Sequence, residues 1–143
     1  MKEYVQVYTG DGRGKTTAAL GLVLRACGAG LRVYFGQFIK RDCNCSEIKA
    51  LEKYLPSVVV EQYGRGCFIR GKPSAEDIKL AADGLSRLRA AMRSGRYDVV
   101  VADEANGAVS AGLFVVEDLI SLIDDKPENV ELIFTGRNAH EKL

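Results

Sequence analysis

The stretch Gly10-Asp11-Gly12-Arg13-Gly14-Lys15-Thr16-Thr17 brings glycines, a lysine and two hydroxyls into eight consecutive positions. Each type has a use at an anion. Glycines let successive backbone N–H groups turn toward the charge with no Cβ in the way. A helix starting at Lys15 would add further donors and the positive end of its dipole. The lysine can meet β- and γ-phosphate charge, and a threonine hydroxyl can meet a magnesium ion. The pattern is therefore that of a loop cradling the phosphates of a nucleoside triphosphate. It departs from the common spacing in one place. Counting back from Gly14, the position of the usual first glycine holds Thr9, and the loop runs Gly-x-Gly-x-Gly.

A second pair of candidates is Asp103-Glu104, after the apolar run Val99-Val100-Val101-Ala102. A carboxylate at the end of a buried strand, expected here to lie next to the loop strand, is placed to hold Mg²⁺ (or Mn²⁺) directly or through water. The expected metal set is Thr16, Asp103 and Glu104. The plain alternative is that Asp103 only caps the segment after it.

These residues need elements to position them. Tyr4 to Tyr8 is a short apolar and β-branched run, and Lys15 to Ala29 comes next as a helix with Ala18, Ala19, Leu22, Val23 and Ala26 on one face. Arg32 to Phe38 is a second strand, Glu47 to Leu55 a short helix ended by Pro56, and Val58 to Tyr63 a third strand. Pro73-Ser74-Ala75-Glu76-Asp77 resembles a capped helix start. Ile78, Ala81, Leu85, Leu88 and Met92 then repeat at helical spacing, and Gly95 ends the element. Tyr97 to Ala102, Val115 to Asp125 and Val130 to Thr135 complete the pattern as strand, helix and strand. Arg41 to Ser46 and Gly64 to Pro73 read as loops. The alternation predicts an α/β fold whose strands are mainly parallel and covered on both faces, with ligands beyond their carboxyl ends.

Composition agrees. The chain has 143 residues, 47% of them hydrophobic and 27% charged, with a formal net charge of +1. That size suits one domain. The charge gives no global field for nucleic acid, and no apolar run is long enough for a membrane helix. The N-terminus shows no apolar signal region, so the expected location is cytoplasmic. Cys27, Cys43, Cys45 and Cys67 lack zinc-ligand spacing, and the one histidine, His140, is far from them. Cys27 reads as a core residue and Cys43 and Cys45 as loop residues.

Taken in order, Gly10 to Arg25 (GDGRGKTTAALGLVLR), Gln37-Phe38-Ile39-Lys40, Asp103-Glu104 and Thr135-Gly136-Arg137-Asn138-Ala139-His140 resemble the ATP:corrinoid adenosyltransferase family over nearly the whole chain. The resemblance implies a P-loop NTPase-like (RecA-like) three-layer domain with a sheet of about five strands. It implies transfer of the 5′-deoxyadenosyl group of ATP to cobalt(I) of a corrinoid, with release of tripolyphosphate, in cobalamin biosynthesis or salvage. Lys15, Thr16 and Glu104 would then be catalytic. Gly10, Asp11, Gly12, Arg13, Gly14, Lys15, Thr16, Thr17, Arg25 and Arg137 would meet ATP. Lys40, Phe68 and the Gly64–Gly71 loop would face the corrinoid co-substrate. A flavoprotein reductant and a homodimer are the implied partners, with neither nucleic acid nor membrane.

Three departures from the family pattern stand out. Tryptophan is absent, leaving Phe68 as the aromatic in the loop after the third strand; Asp11 adds negative charge where many members carry a neutral amide; and family members usually continue past the His140 segment through a helix and a final strand. Residues 1–143 are thus expected to be a single P-loop domain without those two elements. A small kinase or ATPase of the same fold, or a non-catalytic nucleotide-binding paralogue, would share the loop.

Overall fold

The computed structural model describes residues 4–40, 44–66 and 69–143. The elements, in chain order, are β1 (Val5–Tyr8), α1 (Lys15–Gly28), β2 (Val33–Lys40), α2 (Ser46–Tyr54), β3 (Val59–Gly66), α3 (Ala75–Arg93), β4 (Val99–Asp103), α4 (Ala105–Ser110), α5 (Val116–Asp125) and β5 (Glu131–Thr135). The strands form one five-stranded sheet in the order β1-β5-β4-β2-β3. Every pairing is parallel. The fold is P-loop NTPase-like, with helices on both faces of the sheet.

Strand periodicity sorts the core into two layers. Tyr34, Phe38, Val100, Ala102, Leu132 and Phe134 point to the face covered by α3, α4 and α5. Val33, Phe35, Val99, Val101 and Ile133 point to the other, against α1 and α2. The uninterrupted apolar runs of β4 and β5 result from burial on both faces. Burying a side chain such as Leu88 or Met92, both 0% exposed, is worth about 1.5–3 kcal/mol each.

Several expectations change in detail. β5, not β4, lies beside the loop strand, so β4 is one strand further away than expected. The apolar content of both strands is alike, and strand order is set by how the helices cross over, which periodicity does not record. In α1, Ala19, Val23 and Ala26 are buried while Ala18 is exposed. In α3, Ile78 is exposed and Gly84 takes a place in the buried stripe, because the Tyr63 ring occupies the space a side chain would need there. β3 continues to Gly66, so the start of the expected loop is strand. The helix α4 has no counterpart among the expected elements; its sequence, ANGAVS, is too short and too weakly apolar for a periodic signal.

Ser74 caps α3 as expected. Its hydroxyl accepts from the Asp77 N–H at 3.1 Å, and Asp77 Oδ2 accepts from the Ser74 N–H at 2.9 Å. Arg65, at the end of β3, donates through Nε to Asp77 at 2.9 Å and through Nη2 to the Ser74 hydroxyl at 3.0 Å.

Candidate active site

Because all strands run the same way, Tyr8, Lys40, Gly66, Asp103 and Thr135 end on one edge of the sheet. The candidate residues meet there. Gly14 is the N-cap of α1 with φ 110, a left-handed conformation that disfavours a side chain. No side chain caps this helix and no acid lies in its first turn. The first-turn N–H groups, which lack partners inside the helix, therefore face outward with the dipole's positive end. Lys15 Nζ folds across the loop to donate to the Gly12 carbonyl at 2.5 Å.

Gly12, Arg13, Gly14, Lys15, Thr16 and Thr17 line a cavity of about 360 Å³, closed from the far side by Glu104, Gly107 and Arg137. Gly10 and Asp11 sit just before it in the same loop. Thr9, at the position of the missing glycine, accepts from the Ala139 N–H at 3.0 Å and so ties the loop's start to the exit of β5. A glycine there would lose that tie.

Behind the cavity wall, Asp103 is fully buried. Its Oδ1 accepts from the Thr16 hydroxyl at 2.9 Å and the Thr135 hydroxyl at 2.7 Å, and its Oδ2 accepts from Gln37 Nε2 at 2.8 Å. Gln37 in turn accepts from Gln62 Nε2 at 2.9 Å. The Thr135 hydroxyl also accepts from the Glu104 N–H at 2.9 Å. Asp103 thus does not cap α4; it is a strand residue bound to α1, β2 and β5 at once. Gln37 and Thr135 belong to the motifs picked out in the sequence, but their attachment to Asp103 depends on strands that are neighbours only in space.

Glu104 has φ 60 and occupies the N-cap position of α4 without making a side-chain cap. Burial pushes its carboxyl up from the ordinary value, and the Asp103 charge adds to this; Lys40, Lys15 and Arg137 pull it back down. Its Oε2 lies 2.8 Å from the point a Cβ on Gly107 would occupy, so Gly107 leaves it room. Gly107, which carried no sequence signal, is therefore part of the cavity by virtue of α4.

The remaining candidates divide. Lys40 does not line the cavity, yet its charge reaches Glu104. Arg25 is exposed in the last turn of α1, about ten residues and 15 Å along the axis from Lys15, and does not line the cavity. Phe68, with Cys43 and Cys67, lies outside the described residues. A second cavity of about 430 Å³ opens beside β3, lined by Ile39, Arg65, Gly66, Ile69, Arg70, Lys72, Ser74 and Asp77.

The parallel sheet, the glycine-rich strand-to-helix turn and the carboxylate bonded to Thr16 together define a P-loop NTPase-like protein. The family described as ATP:corrinoid adenosyltransferase BtuR/CobO/CobP matches residues 1–143, and the chain belongs to that family. A corrinoid adenosyltransferase of Sinorhizobium sp. is 29% identical over 144 residues, covering 99% of this chain and 67% of its own length. The corrinoid adenosyltransferase of Escherichia coli (strain K12) is 28% identical over 137 residues, 96% of this chain and 69% of its own. An uncharacterized protein of Nostoc sp. is 36% identical over 152 residues, 97% of this chain and 40% of its own length. The chain thus spans about two fifths of the Nostoc protein and about two thirds of these two adenosyltransferases.

Proposed function

We infer that this protein transfers the 5′-deoxyadenosyl group of ATP to cobalt(I) of a corrinoid and releases tripolyphosphate. The observation that carries this reading is the single cavity in which the Gly12–Thr17 loop faces Glu104 and Arg137, in a chain of the adenosyltransferase family. In the reaction, the cobalt(I) electron pair forms a bond to the ribose C5′. The C5′–oxygen bond breaks, and its electrons leave on the triphosphate. The protein supplies no nucleophile. Its work is to align C5′ with the cobalt and to stabilise charge on the leaving group.

In this reading the backbone of Gly10, Asp11, Gly12, Arg13 and Gly14, with Lys15, Thr16 and Thr17, holds the triphosphate, and Arg137 meets it from the opposite wall. Arg25, at the far end of α1, is left out of that set. The oxygen donors of Thr16, Asp103 and Glu104 fit a hard divalent ion such as Mg²⁺ or Mn²⁺. Asp103 already accepts from three donors, so its share would run through Thr16 or water. No hydrogen bond reaches the Glu104 carboxylate among the described residues, which leaves it available to the ion. When bound, such an ion would neutralise phosphate charge. Lys40 and the cavity beside β3 would face the corrinoid. A cobalt(I) substrate requires a reductant, proposed to be a flavoprotein. No helix among the described residues is long and apolar enough to cross a membrane; a cytoplasmic location and a homodimer belong to the same proposal.

The raised carboxyl of Glu104 also suits a general base, which favours a phosphotransferase or ATPase as the second reading. One anaerobic experiment separates the two. Protein, ATP, Mg²⁺ and chemically reduced cobalamin are mixed, and the visible spectrum and phosphate products are followed. A light-sensitive alkylcorrinoid with tripolyphosphate is expected. ADP or orthophosphate without adenosylation would overturn the reading.

A further inference from the structure

One side chain of the cavity beside β3 closely approaches the wall of the loop cavity. Ile39 lines the cavity beside β3, and its Cδ1 lies 3.5 Å from the point a Cβ on Gly107 would occupy, on the wall of the loop cavity. Ile39 is also held in an unusual way. Its φ is 72, left-handed, which is rare for any residue with a side chain and rarer for a β-branched one. The β2–β3 register shifts between Ile39 and Lys40, so the strand bulges here. Across the bulge, a Cβ on Gly64 would sit 1.9 Å from the Ile39 carbonyl oxygen, so only glycine admits this conformation.

A bulge re-aims the side chain that comes after the regular strand. Regular alternation would carry residue 39 to the face opposite its neighbour Phe38. Ile39 instead packs, like Phe38, with the hydrophobic cluster on the α3–α5 face. Backbone strain of this kind persists where the surroundings over-determine it, and it gathers at functional sites. Ile39 is not alone. The other two side-chain-bearing residues with positive φ among the described residues, Glu104 and Asn138, come after β4 and β5 at the same edge.

We propose that Ile39 is a positioning residue: an apolar partition between the nucleotide cavity and the corrinoid side, fixing the approach of the two substrates and excluding water between them. This role rests on the adenosyltransferase reading, in which C5′ must reach the cobalt across that boundary. Neither ligand is held by polar groups of Ile39. Its removal therefore acts on alignment and leaves nucleotide affinity in place.

The test compares Ile39→Ala, Ile39→Gly and Ile39→Val with the parent. ATP affinity is measured by calorimetry, unfolding temperature by circular dichroism, and kcat and KM for both substrates under anaerobic conditions. For Ile39→Ala, kcat falls at least tenfold while ATP affinity stays within twofold, since small misplacements of reacting atoms have large kinetic effects. Ile39→Val restores most of the rate. Ile39→Gly relieves the left-handed strain, so it unfolds at a higher temperature than Ile39→Ala yet transfers no faster. A purely structural role would make rate and unfolding temperature fall together. Should Ile39→Ala not fold, Ile39→Val and Ile39→Gly decide. An Ile39→Gly protein as fast as the parent overturns the partition, as does an Ile39→Ala kcat within twofold of the parent. A parent that makes no alkylcorrinoid overturns the adenosyltransferase reading instead, and the partition with it.

Discussion

Glu104 shows how much one side chain's surroundings decide. It comes directly after a buried strand, takes a left-handed backbone, and has its carboxyl raised first by burial and then by Asp103. Between the ordinary carboxylate value and this raised one, the folded protein holds a proton that the unfolded chain releases. Stability therefore falls as pH rises through that window. Glu104→Gln removes the ionisation. The variant should unfold at a higher temperature than the parent at neutral pH, with the gap closing below the ordinary carboxylate value; thermal scans at acid and neutral pH check the sign. If Glu104 also holds the metal, the same variant should need more Mg²⁺ for half-maximal turnover. Gln37 and Thr135 act on a neighbour instead, orienting Asp103 by hydrogen bonds.

At the scale of elements, the bulge of β2 depends on one close approach and the start of α3 on a small set of hydrogen bonds. Gly64→Ala would drive a Cβ against the Ile39 carbonyl, with no flexible side chain to yield. Overpacking into backbone should remove about 3 kcal/mol or more of stability, seen as a lower denaturation midpoint in urea. The α3 cap is more forgiving. The hydrogen bond from Arg65, then that from the Ser74 N–H, hold Asp77 down at about 2. A lowered carboxyl contributes stability that is full above its unfolded value and is lost as pH falls through the folded one. Asp77→Ala should therefore lower stability by about 1 kcal/mol near neutral pH. The deficit should shrink in denaturation curves taken between about pH 4 and pH 2. Because Arg65 is half exposed, added salt should reduce the ion-pair share of that difference.

For the whole molecule, the cavity joins α1, α4 and the exits of β4 and β5, so a ligand bound there links parts of the chain that fold together. Binding to the native state alone stabilises by about 2.7 kcal/mol at a hundredfold excess over Kd. MgATP should accordingly raise the unfolding temperature by on the order of 8 °C. Lys15→Ala should keep the parent's unfolding temperature without ligand and lose most of this shift. A Lys15→Ala protein that shifts as far as the parent would disprove the phosphate-loop assignment.

Legible in the residues alone were the phosphate-loop pattern at Gly10–Thr17, the alternation of strands and helices, the capped start of α3 and the carboxylates at the end of β4. These are short-range features, written in neighbouring residues and in periods of two and 3.6. Assembly of the sheet settled what touches what. It inserted β5 between β1 and β4, set Thr16, Gln37 and Thr135 on one carboxylate, and brought α4 and Gly107 into the cavity wall. It also brought Ile39, on the wall of the cavity beside β3, close to Gly107. Those outcomes depend on strand order and on close approaches between residues distant in the chain, such as Gly64 against Ile39 and Asp103 against Thr16. Local propensity holds no record of them, because the contacts exist only once the sheet has assembled.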